Sequence, residues 1–312
     1  AEHGVVFVSI DEKELANLKI LSEDIFGFSN WVGDIIWKNA TDNNPTRIAI
    51  DHEYILCYAK NVLRLPSVWK SGYSYAKQLL LDKYNELKRA GLSVEQIERE
   101  LRQFIKANAA TIGKLRRYRF VDDVGPYTGS ESVHNPHPGG YDYEIIHPVT
   151  GRPMRKPANG YRFPEETMRR EYIEKGRLIY GPDENRIVKI KIYLKDYQDA
   201  FRSQIELDGR LGAYTLRAQF GSQTKVFDNP KPVELIEQLV SFSTDGESLV
   251  MDITGGSGTT AHAVIKLSRD QGQRRRFVLV EIGPYFDTVL IPRIAKTLYA
   301  SEWKDGRPSR LP

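Results

Sequence analysis

LVMDITGGSGTTAHAV, residues 249–264, runs an apolar strand pattern into one acid, three glycines and a helical pattern. Such a turn brings backbone N–H groups and the positive end of a helix up to a ligand. Three ligands compete for it. A P-loop places Lys and then Ser or Thr after its last glycine, because the ammonium must reach the β- and γ-phosphates. Here Thr259 and Thr260 follow Gly258, which excludes that reading. A dinucleotide fingerprint is closer: Gly256-Ser257-Gly258-x-x-Ala261 fits G-x-G-x-x-A, and Glu281 ends the next strand pattern where an acid would hold ribose hydroxyls. Asp252 opposes it, since its carboxylate occupies the place a pyrophosphate would take. S-adenosylmethionine carries no phosphate. Its ammonium and sulfonium tolerate a carboxylate, its own carboxylate can face the helix N-terminus, and Glu281 can accept its ribose hydroxyls.

The elements that must hold this loop lie on both sides of it. FDNPKPVELIEQLVSFS reads as a helix with Pro232 in its first turn and an apolar stripe of Val233, Ile236, Leu239 and Val240. The strand SLVMDI, the glycine loop, the helix TTAHAVIKLSRD and the strand RRRFVLVEI then form a β-α-β unit, as a parallel sheet requires. At the other end, GVVFVSID (4–11) reads as a buried, central parallel strand. Asp11-x-x-Glu14 has capping-box spacing, and Leu15, Leu18, Leu21, Ile25 and Phe26 make an apolar helix face ending at Gly27. WVGDIIWKN and EYILCYAKN follow as a hairpin-like pair of strands.

Between these ends the texture differs. Two helical patterns split by Gly91 form a hairpin, the second opened by a capping box, Ser93-x-x-Gln96. Residues 120–186 are rich in Gly, Pro, Tyr and Arg, which suits an irregular recognition region better than a hydrophobic core. His134, His137 and His147 have no Cys or acidic partners at metal spacing and read as loop or contact residues. The net charge of +4 is modest, but basic residues and aromatics interleave between about 113 and 196, as on a surface that faces phosphate. A solvated basic face is the competing reading. The sequence has one cysteine, Cys57, inside an apolar strand pattern, so no disulfide can form within the chain and a reducing cytoplasm fits best. No apolar run approaches the roughly 18 residues that cross a bilayer, so no membrane partner is expected.

DITGGSGTTAHAV resembles the D-F-F-A-G-S-G-T-T-x-H-A-V cofactor motif of the β-group adenine-N6 DNA methyltransferases, and among them the Mod subunits of type III restriction-modification systems. VFDNPKPVELIEQLV resembles the segment that precedes that motif, and GVVFVSIDEKELANLKILSEDIFG with WVGDIIWKN and DHEYILCYAKN resembles the strand, helix and hairpin that follow the catalytic segment. YDYEIIHPVTGRPMRKPANGYRFPEETM with GRLIYG resembles part of the target-recognition region. The resemblance covers nearly the whole chain. It implies a Rossmann-like α/β methyltransferase core with permuted motif order, at residues 1–63 and 216–312, and an inserted α+β recognition region at 64–215.

The same resemblance implies S-adenosylmethionine-dependent methylation of a flipped adenine in double-stranded DNA, with a homodimer and a restriction (Res) subunit as protein partners. Asp252, Gly256, Gly258 and Thr259 match the cofactor loop, and Ile253, Thr254 and Gly255 replace its Phe-Phe-Ala. Candidate cofactor contacts are Asp252, Gly255, Gly256, Ser257, Gly258, Thr259, Thr260, Glu281 and Lys231. Candidate DNA contacts are Arg116, Arg117, Arg119, Arg152, Arg155, Lys156 and Arg162, with Trp37, Lys38 and the 39–50 loop beside the flipped adenine; an ordinary core aromatic is the rival reading of Trp37. The Asp-Pro-Pro-Tyr tetrad that positions the target amine in this family has no match in the 312 residues, so no catalytic residue is assigned. Asn135-Pro-His-Pro138 lacks the paired prolines and the aromatic. The missing tetrad and the abrupt opening strand suggest a fragment of a larger protein. The alternative is a non-catalytic DNA-binding or specificity module with a vestigial core.

Overall fold

The computed structural model describes residues 1–39, 47–130, 132–222 and 225–310. The chain begins with β1 (Val5–Ile10), α1 (Leu15–Phe26), β2 (Trp31–Lys38), β3 (His52–Ala59) and β4 (Lys70–Ser71). Next come α2 (Tyr75–Arg89), α3 (Val94–Ala107), α4 (Ala109–Ile112), β5 (Phe120–Asp122), β6 (Gly125–Ser130), α5 (Glu165–Met168), β7 (Leu178–Ile179) and β8 (Lys189–Tyr193). β9 (Asp199–Ala200), β10 (Gln204–Glu206), α6 (Arg210–Phe220), α7 (Val233–Ser243), β11 (Leu249–Asp252), α8 (Thr259–Gln271) and β12 (Arg276–Leu279) follow. α9 (Ile291–Tyr299) and the strands β13 (Glu302–Lys304) and β14 (Arg307–Arg310) close the order.

Two compact units result, one from Ala1–Tyr73 with Asp199–Pro312 and one from Ser74–Gln198. The division falls after residues 73 and 198 rather than near 63 and 215. Backbone pairing explains the shift. β9 pairs antiparallel with β4, and β10 pairs parallel with β2, so the flanks of the inserted segment are hydrogen-bonded into the first unit.

In the first unit, β1, β3, β2 and β10 form one sheet in that order. β1 runs antiparallel to β3, pairs with no other strand among the described residues, and is half-buried. The expectation of a buried, central parallel strand is corrected on both counts. An apolar run fits an edge strand equally well when one face packs on neighbouring rings: Phe7 lies 6.4 Å from Trp69 and 6.3 Å from Phe201, and Phe201 stacks at 4.6 Å on Phe242 of α7. β3 is the most buried strand, and burial pushes the Cys57 thiol up to about 12, leaving it protonated and inert.

α1 departs from its sequence reading. It starts at Leu15 with no side-chain cap, because Asp11 Oδ1 accepts from the Lys13 amide in a turn ahead of the helix. Leu21 and Ile25 are exposed; Ser22 is its buried residue, and Phe26 stacks on Tyr58 at 5.7 Å. The helix does end at Gly27, whose φ of +83° suits glycine.

β11 and β12 are parallel, with Val250 opposite Phe277, and α8 crosses between them as the β-α-β pattern predicts. Val240, Val264 and Leu267 join α7 to α8 beside Tyr73. Glu237 of α7 is fully buried, accepts from Lys266 Nζ at 2.6 Å and from the Tyr73 hydroxyl, and so ties α8 and the end of the first segment to α7. Burial raises the Glu237 carboxyl above its usual range, and Lys266 offsets part of that rise.

The second unit carries two cores. α2 and α3 form the predicted hairpin around Gly91, and the Ser93–Gln96 capping box is complete, with bonds of 3.3 and 2.8 Å. Leu80, Tyr84, Leu101, Ile112, Leu115 and Tyr118 pack inside it. β5, β6, β8 and β7 make an antiparallel sheet in that order. The Gly/Pro/Tyr-rich stretch has a hydrophobic core after all, formed by Val133, Ile145, Met154, Met168, Val188 and the stacked rings of Tyr143 and Tyr161, 4.5 Å apart. Tyrosines supply apolar area there that a count of aliphatic residues misses.

Replacing Lys266 by Met should leave Glu237 buried with only Tyr73 as partner. We expect a loss of about 3 kcal/mol in denaturant unfolding; a loss below about 1 kcal/mol would show that the pair does not hold α7 to α8.

Candidate functional site

The glycine loop is held by backbone and carboxylate together. Gly255 N–H donates to Val280 O at 2.9 Å, and Val280 N–H donates to Asp252 O at 2.8 Å, so the loop continues the parallel pairing past the strand ends. Gly256 N–H then donates to Glu281 Oε2 at 2.7 Å, while Glu281 Oε1 accepts from Gly283 N–H at 2.7 Å. These two amides, Gly283 first, hold the Glu281 carboxyl below its usual range. Gly256 and Gly258 have φ of +52° and +77°, a region that other side chains enter at a steric cost. Both also lie under neighbouring side chains: a Cβ on Gly256 would meet Phe227 at 3.2 Å, and one on Gly258 would meet Leu290 at 3.4 Å.

Asp252 sits half-buried at the end of β11, accepting from Thr260 Oγ1 at 2.6 Å and from Thr254 N–H at 3.0 Å. Asp252 and Glu281 thus stand at the same end of two paired parallel strands, each with carboxylate lone pairs left for a ligand. Ser257 and Thr259 point the other way. Their hydroxyls, 3.1 Å apart, are buried against Arg293 of α9, so only their backbone is available to a cofactor.

A cavity of about 480 Å³ opens beside this loop, lined in part by Trp37, Asn39, Glu53, Arg217, Phe227 and Lys231. It shares Phe227 with the Gly256 turn, and Thr259 Oγ1 lies 3.4 Å from Lys231 O. Lys231 Nζ pairs with Glu53 and lies 4.7 Å from the Trp37 ring centre, bringing two residues that sequence reading assigned to different ligands into one wall. Trp37 is 2% exposed and donates Nε1–H to Leu207 O at 2.8 Å, a core aromatic that also forms the cavity wall. Lys38 is exposed and 3.6 Å from Glu206, and positions 40–46 of the 39–50 loop lie outside the described residues.

Arg116, Arg117, Arg119, Arg152, Arg155, Lys156 and Arg162 all lie exposed on the second unit. Arg117, Arg119 and Arg162 rest on the rings of Tyr118, Phe120 and Phe163, while Arg152 pairs with Glu184 at 3.1 Å and Lys156 with Asp142 at 2.6 Å. Three further cations were not named individually in the sequence reading, although Arg177 and Lys191 fall within its basic stretch of about 113 to 196. Phe120, Tyr127 and Tyr193 pair across β5, β6 and β8 on one sheet face, covered by Arg102, Lys191 and Arg177. The period-2 alternation of KIKIY was the available signal.

Residues 1–290 match the family model described as DNA methylase (N6_N4_Mtase). The chain belongs to the DNA methylase family. Its core is accordingly an α/β methyltransferase fold. It is 43% identical over 281 residues to the Escherichia coli type III restriction-modification enzyme EcoP15I Mod subunit, covering 90% of this chain and 43% of that protein. It is 29% identical over 292 residues to the StyLTI Mod subunit of Salmonella typhimurium, covering 89% and 37%. A type II methyltransferase of Klebsiella pneumoniae, M.KpnI, is 28% identical over 289 residues, covering 89% and 62%. The chain therefore spans less than half the length of these two Mod subunits.

The Glu281 tether sets a pH expectation. A depressed carboxyl contributes stability above its unfolded value that is lost as pH falls through the folded one. The Gly256 amide proton shift should therefore titrate with a midpoint below the usual 4.5, and Glu281→Gln should abolish that titration. A midpoint at or above 4.5 would mean that the tether does not form.

Proposed function

We propose that this chain supplies the cofactor-binding and target-recognition parts of a site-specific DNA adenine-N6 methyltransferase, the modification subunit of a type III restriction-modification system. S-adenosylmethionine is its methyl donor. One observation carries the reading: two carboxylates, Asp252 and Glu281, flank a glycine loop at the ends of paired parallel strands, with the N-terminus of α8 beside them. That charge pattern repels a pyrophosphate and suits a ligand with cationic, hydroxyl and carboxylate groups.

The residues present fit the cofactor. Glu281 has lone pairs left to accept ribose hydroxyls, and its two amide bonds fix its orientation. Asp252, oriented by Thr260, faces the cationic end, while the N-terminal amides of α8 and the loop favour the carboxylate. When bound, S-adenosylmethionine supplies an electrophilic methyl on sulfonium. The cavity between Phe227 and Trp37 lies next to the loop and is large enough for part of a cofactor or a base.

The exposed arginines of the second unit support duplex DNA as the substrate, through phosphate contacts that raise affinity without reading sequence. Likeness to the Mod subunits of restriction-modification enzymes supports a restriction subunit as a protein partner, and a second copy of this chain belongs to the same proposal.

Calorimetry with S-adenosylmethionine and with NAD on the same preparation tests the cofactor reading. We expect measurable S-adenosylmethionine binding, weakened by Asp252→Ala and by Glu281→Ala, with duplex DNA binding retained; tighter NAD binding would contradict it. Duplex affinity should fall steeply between 50 and 200 mM salt, as about six or more phosphate contacts require, and salt-insensitive binding would remove the basic surface from the account.

A further inference from the structure

Arg293 of α9 is fully buried, and nearly all its bonds go to one place. Nη1 donates to Ser257 O at 3.2 Å, to Ser257 Oγ at 2.9 Å and to Thr259 Oγ1 at 2.8 Å. Nε lies 3.4 Å from Nδ1 of His262, which burial, Arg293, Lys266 and Arg269 hold neutral and able to accept. One turn earlier, Leu290 fills the space left by the glycines: a Cβ on Gly255 would meet its Cδ1 at 2.9 Å. The start of α9 thus grips the back of the glycine loop at residues 255–259, while Glu281 and Asp252 hold its front.

Generic stability is a poor reason for such a residue. Burying a guanidinium costs several kcal/mol even when it is paired, and apolar residues of similar volume often replace buried ions without loss. Here Nη2 has no partner among the described residues, and neither has Glu234 Oε2, although the Glu234 charge favours the guanidinium. Burial pulls the Arg293 side chain down to about 9, still cationic at neutral pH. The cost is incurred where it fixes the three-residue turn Ser257–Thr259 from behind. A planar fork can reach a carbonyl and two hydroxyls from one side, and an ammonium on a flexible stem cannot reproduce that geometry.

We propose that Arg293 is a positioning residue for the methyl-donor site: from α9 it locks the Ser257–Thr259 turn in the shape that presents the glycine-loop amides to the cofactor. This rests on the reading of the loop as the S-adenosylmethionine site. It gives the residues of the loop separate tasks: Gly255 and Gly258 leave room for Leu290, Gly256 faces Phe227, and Ser257 and Thr259 serve as acceptors for the anchor.

Three variants of the full chain test it: Arg293→Lys, Arg293→Met, and Ser257→Ala combined with Thr259→Val, which removes both hydroxyl acceptors. Each should weaken S-adenosylmethionine binding by about tenfold or more and leave duplex DNA binding unchanged. Adding Arg293→Lys to the hydroxyl pair should cost little further, because both act through one anchor. Amide exchange at 256–260 should accelerate in Arg293→Lys while exchange in β12 stays the same. Affinity within about twofold of the unmodified chain, or fully additive losses, would overturn the proposal. If Arg293→Met fails to fold, the lysine and hydroxyl variants still decide. If the unmodified chain binds no S-adenosylmethionine, the cofactor reading fails first, and unchanged exchange at 256–260 in Arg293→Lys overturns the anchor on its own.

Discussion

Glu281 reaches back from the end of one strand to the amide of Gly256, and a parallel pair of strands is the only reason it can. Parallel neighbours end at the same side, so an acid two residues past β12 lies level with the turn that leaves β11. Gly255 and Val280 continue the pairing beyond both strands and leave the next amide aimed at the carboxylate. Two helices of the first unit support that alignment. α7 and α8 back the strands through Val240, Val264 and Leu267, and half-buried Lys266 of α8 bonds to buried Glu237 of α7. The cavity walls of Phe227, Lys231 and Trp37 meet the loop from the side that the glycines leave open.

Much of this was legible in residue order. The acid, glycine loop, helix, strand and second acid follow one another over a short stretch, and short connections leave few ways to fold it. The Ser93–Gln96 cap and the α2–α3 hairpin were legible for the same reason, since their partners are three residues or one turn apart. Long-range partners were not. Nothing near Thr259 announces that Arg293, 34 positions later, will bond to it. A buried arginine looks like a surface one in sequence, and only the buried face of α9 distinguishes them. α1 failed for the opposite reason: its spacing fits an amphipathic helix with a cap, yet Leu21 and Ile25 stay exposed and Asp11 is spent on a local turn.

The two units divide the chemistry. The first collects Asp252, Glu281, the glycine loop and the cavity, in which Lys231 pairs with Glu53 and lies over Trp37. The second carries the exposed arginines and the Phe120–Tyr127–Tyr193 row with its cations. Such a division suits a protein that must hold a small cationic ligand in one place and a polyanion in another, because neither surface can serve both. Departure from the family's Phe-Phe-Ala at Ile253-Thr254-Gly255 fits the same frame: Gly255 has no room for a Cβ beside Leu290, and Thr254 caps Asp252.

Ultraviolet crosslinking of radiolabelled S-adenosylmethionine to the chain, followed by peptide mapping, tests the central claim most directly. Label should fall in peptides bearing Phe227, Gly256 or Tyr285, whose ring lies 4.9 Å from that of Phe227, and unlabelled S-adenosylhomocysteine should displace it. Label confined to residues 74–198, or label displaced by NAD and not by S-adenosylhomocysteine, would contradict the assignment of this loop to the methyl donor.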